Sequence, residues 1–177
     1  MSHQNGDPSA TPNTSPSLTA LGWTPRWEPL LAEHAAGAAG RVLRHDRSAV
    51  VVGTQNDTNQ YALTPLMPPL AVGDWVIVEG ERVVDMLPRA SLLQRRDPST
   101  GGSQPIAANI DIVGIVCGLD RPVSPGRIQR FTSLAWDAGA SPLVILSKAD
   151  LAESTTEIED QLLQHDPGAD IVSVSSQ

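Results

Sequence analysis

Residues 143–150 read LVILSKAD, an apolar run that ends in a serine, a lysine and an aspartate. Lys148 is the only lysine in the chain, against eleven arginines. A genome that favours arginine codons accounts for the scarcity but not for the position. An aspartate at the end of a buried strand can accept two hydrogen bonds, from the N1–H and the N2 amine of a guanine. Adenine offers no matching pair of donors, so that contact would separate the two bases by leaving polar groups unsatisfied with the wrong one. A lysine can lay its aliphatic stem over a purine ring while its ammonium stays hydrated. The hydroxyl of Ser147 can tie the loop to neighbouring backbone. Taken alone, SKAD also fits a pair of exposed loop charges, with Asp150 near a helix start.

The elements around this stretch give it a setting. IDIVGIVCGL is a continuous apolar run, the pattern of a strand covered on both faces. PGRIQRFTSLAWDAG puts Ile128, Phe131, Leu134 and Ala135 at helical spacing, with Gly139 as a stop. PLVILS is a second buried strand. In STTEIEDQLLQHD, Ser154 precedes Glu157 by three residues, a capping-box start to a second helix. DIVSVSS is a third strand. Parallel strands joined by helices bind their ligands beyond the strands' carboxyl ends, and Ser147, Lys148, Ala149 and Asp150 lie at such an end. Ser175 and Ser176 lie at the next, where backbone N–H groups could face the carbonyl of a base. Two strand ends then converge on one pocket.

The first half of the chain has a different rhythm. Residues 1–17 are almost wholly polar and read as a disordered tail. Residues 18–39 read as a helical segment built on WEPLLAEHAAGAAG, with Pro29 in its first turn. Over 40–95, RVLRH, AVVVGT, NQYALT, WVIVEG and RVVDMLP are five short strands separated by turn residues. A five-stranded OB-fold barrel closes them without long open edges; strand count alone also admits an SH3-like barrel. RRDPSTGGSQP marks a linker at 96–105, and 106–177 hold the three parallel strands and two helices. The expected class is therefore multidomain, a β-barrel followed by a partial α/β domain.

Charge divides in the same place. Seven arginines face six acids from Ala36 to Arg96, whereas four bases face ten acids from Ile106 to Gln177. With a formal net charge of -8, the surface as a whole does not favour nucleic acid. Arg41, Arg44, Arg47, Arg89, Arg95 and Arg96 are the candidates for RNA contact. Tyr61 and Trp75 are nearly the only aromatics beside them, and Trp75 reads better as core than as a stacking platform. Phosphate contact would then dominate, and affinity would fall steeply with salt. The one cysteine, Cys117, excludes an internal disulfide and reads as a buried, inert thiol. The histidines show no metal spacing, and Asp120 and Asp137 read as surface charges. The amino terminus lacks the basic end and apolar core of a signal peptide, and no apolar run approaches about 18 residues. A cytoplasmic, membrane-free protein is expected.

The motifs VGDWV (72–76), LPR (87–89), AANID (107–111) and KAD (148–150), in this order, resemble the RsgA (YjeQ) family of circularly permuted GTPases dependent on the small ribosomal subunit. The resemblance covers roughly residues 20–177. It implies that the barrel is the family's OB domain and that 106–177 begin its P-loop-type GTPase domain. It further implies that Ser147, Lys148, Ala149 and Asp150 occupy the guanine-specificity motif, and that Ser175 and Ser176 match the start of the Ser-Ala motif. Serine replaces the usual Asn or Thr at 147. The implied ligands are GTP and Mg²⁺, with zinc in a C-terminal domain that this stretch lacks. The implied partners are the 30S subunit and its 16S rRNA, met by a monomer in late subunit biogenesis. G-x-x-x-x-G-K-[ST] is missing from the 177 residues, so the chain by itself is expected to be inactive. A stand-alone RNA-binding module with a degenerate α/β appendage is the rival reading.

Overall fold

The computed structural model describes residues 17–34, 37–46, 48–64, 67–96 and 101–175. The tail expected at 1–17 falls outside them except for Ser17, and so do Arg47 and Ser176. The chain divides into two compact units, Met1–Pro88 and Arg89–Gln177.

The first unit is a closed barrel. Its strands are β1 (Ala38–Asp46), β2 (Ala49–Thr54), β3 (Thr58–Leu63), β4 (Trp75–Glu79) and β5 (Arg82–Met86). They run in the order β1-β2-β3-β5-β4, with β4 closing on β1. β3 and β5 pair in parallel and the other neighbours antiparallel. That single parallel contact is how an OB barrel closes, and it decides against the SH3-like alternative. Val42, Val50, Val52, Tyr61, Leu70, Val76, Val78 and Val83 fill the interior. Gly40 allows the β1–β2 crossing to close, since a Cβ there would meet Val52 Cγ1 at 2.4 Å.

β4 reads WVIV because both of its faces are buried. Val76 and Val78 point into the barrel, and Trp75 and Ile77 point outward into a second apolar cluster with Trp27 and Leu87. That cluster is covered by the segment before β1, which contributes Leu18, Leu21, Trp23, Leu30 and Leu31. Trp23 meets Trp75 edge-on, with ring centroids 4.8 Å apart. The helical part of this segment is shorter than the alanine-rich sequence predicts. A 3-10 turn at Pro25–Trp27 leads into α1 (Glu28–Ala32), which ends there. Ala38, Ala39 and Gly40 pair instead with Val78, Ile77 and Val76. Strand pairing over a buried face outweighs the modest helix preference of alanine.

The second unit opens with a hairpin of β6 (Leu92–Arg96) and β7 (Ser103–Ala108). The stretch read as a linker thus contributes strand residues at both ends. Asn109, in the left-handed region at φ 53°, accepts from the Ala90 amide at 2.9 Å, and Ser91 Oγ exchanges two 2.7 Å bonds with Ile110. These contacts are the local reason for AANID. Then follow β8 (Ile112–Gly118), α2 (Pro125–Asp137), β9 (Ser141–Ser147), α3 (Thr155–His165) and β10 (Asp170–Val174). The three strands form a parallel sheet in the order β10-β9-β8. Ile115, Val144 and Leu146 meet Ile128 of α2 and Leu162 of α3 beneath it. On α2, Thr132 takes a buried position and Leu134 is exposed, a small rotation from the face expected. Ser154 caps α3 by accepting from the Glu157 amide at 3.3 Å. On the opposite sheet face Ile112, Val116, Val172 and Val174 are exposed and Ile145 is half-buried.

The VGDWV turn depends on a buried carboxylate. Asp74 is fully buried and accepts from the Ala71 amide at 2.7 Å. Asp74→Ala is expected to cost the barrel about 1–3 kcal/mol. A urea titration of Trp fluorescence checks this in a Trp136→Phe background, where the remaining signal comes from Trp23, Trp27 and Trp75.

Candidate functional site

The carboxyl ends of β8, β9 and β10 lie side by side, with Gly118 opposite Ser147 and Ser147 opposite Val174. The sheet therefore delivers its three following loops to one edge. Ser147 ends β9. Its carbonyl accepts from the Leu119 amide at 2.9 Å, and its hydroxyl makes a long 3.4 Å contact to the Cys117 carbonyl. The expected role of that hydroxyl in tying the loop to backbone is thus served by the β8 end.

Lys148 follows in the left-handed region, at φ 60° and ψ 41°. For a residue with a Cβ this conformation costs about 1–2 kcal/mol, and such costs gather at functional sites. The kink starts a 3-10 turn at Ala149–Leu151 and turns the lysine back across the sheet edge. Its Nζ lies 2.6 Å from Asp120 Oδ2, in the loop after β8. Asp150 is exposed, and its Oδ1 accepts from Ser175 Oγ, beyond β10, at 2.9 Å. The two strand ends expected to converge do so through this bond. Ser176 lies outside the described residues.

Asp120 is exposed, as expected of it, and has a partner that the sequence did not name. It reads as a surface charge by composition, yet it stands at a strand's carboxyl end like Lys148. The signal was the position of GLD at the close of a buried parallel strand. Hydrogen bonding from Lys148 is the largest influence on its carboxyl, and with the charges of Lys148 and Arg121 it holds the pKa below the usual aspartate value. Arg121 Nη2 is 3.9 Å away. Gly118 makes room, because a Cβ there would stand 2.6 Å from Asp120 Oδ1. An open groove of about 380 Å³ runs beside these groups, lined among others by Cys117, Gly118, Asp120, Ser147 and Lys148. Cys117 is half-buried and lines this groove, less enclosed than the sequence suggests; burial pushes its thiol pKa up, against a smaller opposing effect of Arg127.

The arginines do not form one described surface. Arg41 is turned inward: it donates to the Leu21 and Gly73 carbonyls and lies 5.4 Å over the Trp75 ring. Its guanidinium serves the fold. Arg44 is exposed and pairs with Asp46 at 3.1 Å. Arg89, Arg95 and Arg96 belong to the second unit, where Arg95 donates to Gln104 at 2.9 Å; Arg89 is half-buried and Arg96 exposed. Tyr61 and Trp75 are both buried and offer no ring to a base. Among the described residues, no group of three or more His, Cys, Asp or Glu side chains could hold a metal ion. No helix there is long and apolar enough to cross a membrane.

Comparison with known proteins places this edge in a family. The model for the RsgA GTPase matches residues 86–177, just over half of the chain. The chain belongs to the RsgA GTPase family. A small ribosomal subunit biogenesis GTPase RsgA of Xanthomonas campestris is 37% identical over 80% of this chain and 44% of its own. RsgA 2 of Vibrio parahaemolyticus is 35% identical over 88% of this chain and 44% of its own. The chain thus spans less than half the length of these curated relatives. Two solved structures share the fold at 21% identity. YjeQ from Thermotoga maritima gives a TM-score of 0.59, over 78% of this chain and 52% of its own. YloQ, a circularly permuted GTPase, gives 0.60, over 81% and 53%. Both support the fold alone, an OB-type barrel followed by part of an α/β domain.

Removing the ammonium should free the Asp120 carboxyl. In Lys148→Met the Asp120 carboxyl carbon is expected to titrate at higher pH than in the parent chain, as followed by NMR. The sign follows from the depressed native value. The contact is present above the unfolded-state pKa and is lost as pH falls through the native one, so acid below the usual aspartate range releases Lys148.

Proposed function

We propose that this chain carries the OB barrel and the leading half of a permuted GTPase domain, and that its SKAD edge reads the guanine of GTP. In this reading Asp150 accepts from the base's N1–H and N2 amine, and the stem of Lys148 covers the ring. Ser147 and Ala149 shape the turn, and Ser175 with Ser176 faces the base carbonyl. The observation that carries it is the bond from Ser175 to Asp150, which joins the two strand ends that this reading assigns to the base. The exposed apolar side chains on the opposite face of the parallel sheet support the same reading, since such sheets are normally covered on both faces.

The full-length protein would bind GTP with Mg²⁺, hydrolyse the γ-phosphate on the 30S subunit, and leave the subunit according to its nucleotide state. Its barrel, within 40–95, would dock on 16S rRNA as a monomer's RNA-binding domain, in the cytoplasm. Of the six arginines proposed for that contact, Arg44 is exposed on the barrel, Arg95 and Arg96 are exposed on the second unit, and Arg41 is engaged in the fold. Zinc would belong to a further C-terminal domain. Phosphate binding needs the backbone cradle and lysine of a Gly-rich loop, and Lys148 is the only lysine of these 177 residues. The chain alone would therefore hold nucleotide weakly and turn none over.

Two measurements test this. An NMR titration of the chain with GDP and ADP is expected to show weak binding that favours guanine. Asp150→Ala should reduce that preference by about tenfold or more, the worth of a lost charge-assisted hydrogen bond. Equal binding of both nucleotides, or no effect of Asp150→Ala, would overturn the base-reading role. A phosphate-release assay with GTP and 30S subunits should show no turnover above that of the subunits alone; turnover would overturn the inactivity of the chain.

A further inference from the structure

We infer that Asp120 is a positioning residue for the base site: it clamps the Lys148 ammonium and so holds the lysine stem in place before any nucleotide arrives. The inference rests on the reading of SKAD as a guanine site and assigns a role to a residue outside that motif.

Three features of the sheet edge point the same way. The left-handed backbone at Lys148 sends the side chain from the loop after β9 to the loop after β8, where Nζ meets Asp120 Oδ2 at 2.6 Å. Gly118, with no Cβ, leaves the space that the Asp120 carboxylate occupies. The Leu119 amide, one residue before Asp120, is bonded to the Ser147 carbonyl, one residue before Lys148. The two partners are thus fixed to each other by backbone at their bases as well as by charge at their tips.

The clamp acts through conformational entropy. A free lysine side chain loses substantial rotamer freedom when it is ordered. A stem already stretched between two loops loses less on covering a purine, and preorganisation of this kind raises affinity without adding a contact to the ligand. The side chain remains 51% exposed while its ammonium is held. Arg121 is the other cation near Asp120, at 3.9 Å, too far for a hydrogen bond. Because the contact concerns the stem and not the base edge, it should set affinity and leave the choice of base to Asp150.

The single lysine makes the test direct. In protein labelled with ¹³C-lysine, one ε-methylene signal reports Lys148 alone. The parent chain is expected to show two distinct ε protons, the mark of a restrained side chain, and Asp120→Ala a single averaged resonance. Asp120→Asn, which keeps an acceptor oxygen without the charge, should lie between them and guards against misfolding of the alanine variant. In GDP titrations, Asp120→Ala should bind about fivefold more weakly, with the ratio of GDP to ADP affinity unchanged. Asp150→Ala should lose that ratio. An ε signal that is the same in the parent and in Asp120→Ala overturns the clamp. So does unchanged GDP affinity in Asp120→Ala while Asp150→Ala is impaired, an outcome that leaves the base reading standing. If the parent binds no GDP at millimolar concentration, or neither variant changes its binding, the base reading fails and the inference fails with it.

Discussion

Parallel register is the constraint on which the second unit depends. Because Gly118, Ser147 and Val174 end in line, residues far apart in sequence leave the sheet at one edge. Asp120, Lys148, Asp150 and Ser175 each follow one of those ends by no more than a few positions. The register is held from beneath by Ile115, Val144 and Leu146 against Ile128 and Leu162. A slip of one residue along β9 would turn Val144 and Leu146 to the opposite face and carry Lys148 away from Asp120. Apolar packing under the sheet therefore positions the polar edge.

The first unit is built on a different economy of side chains. β4 places alternate residues in two cores, so the barrel and the segment before it share one strand as a common wall. Three of the four tryptophans are committed to the outer cluster, and Arg41 is committed with them. This limits what the unit can do with nucleic acid. Trp27, Tyr61 and Trp75 are buried and Trp23 is half-buried, and Arg44 is among the charges the unit presents outward.

Much of this was legible in the sequence because period and pattern were strong. Five short strands, the apolar runs of β8 and β9, the Ser154 cap and the SKAD loop all follow from local rules. The failures share a cause. The alanine-rich stretch before β1 favours helix locally, but Ala38–Gly40 are claimed by β4, about forty residues away. The β6–β7 hairpin straddles the stretch read as a linker: Arg96 and Ser103–Pro105 look like linker, while Leu92–Arg95 read as the end of the barrel domain. Asp120 carries no motif, and its partner is 28 residues distant. In each case a long-range contact decided what a local reading could not. The family resemblance supplied the order of motifs but not the Asp120–Lys148 pair, which only the geometry displays.

That pair also bears on why one lysine persists among eleven arginines. An ammonium is a compact point charge on a flexible four-carbon stem, and it satisfies Asp120 through a single short contact. A guanidinium is a planar fork that prefers bidentate pairing with a carboxylate. At this edge a fork would compete for both Asp120 oxygens, and Oδ1 lies close against Gly118, where even a Cβ would not fit. It would also place a broad planar group where the proposed site needs a slender apolar stem. Replacement by arginine would keep the charge and lose the shape. In the proposed site, position 148 calls for the lysine's geometry as much as for its cation.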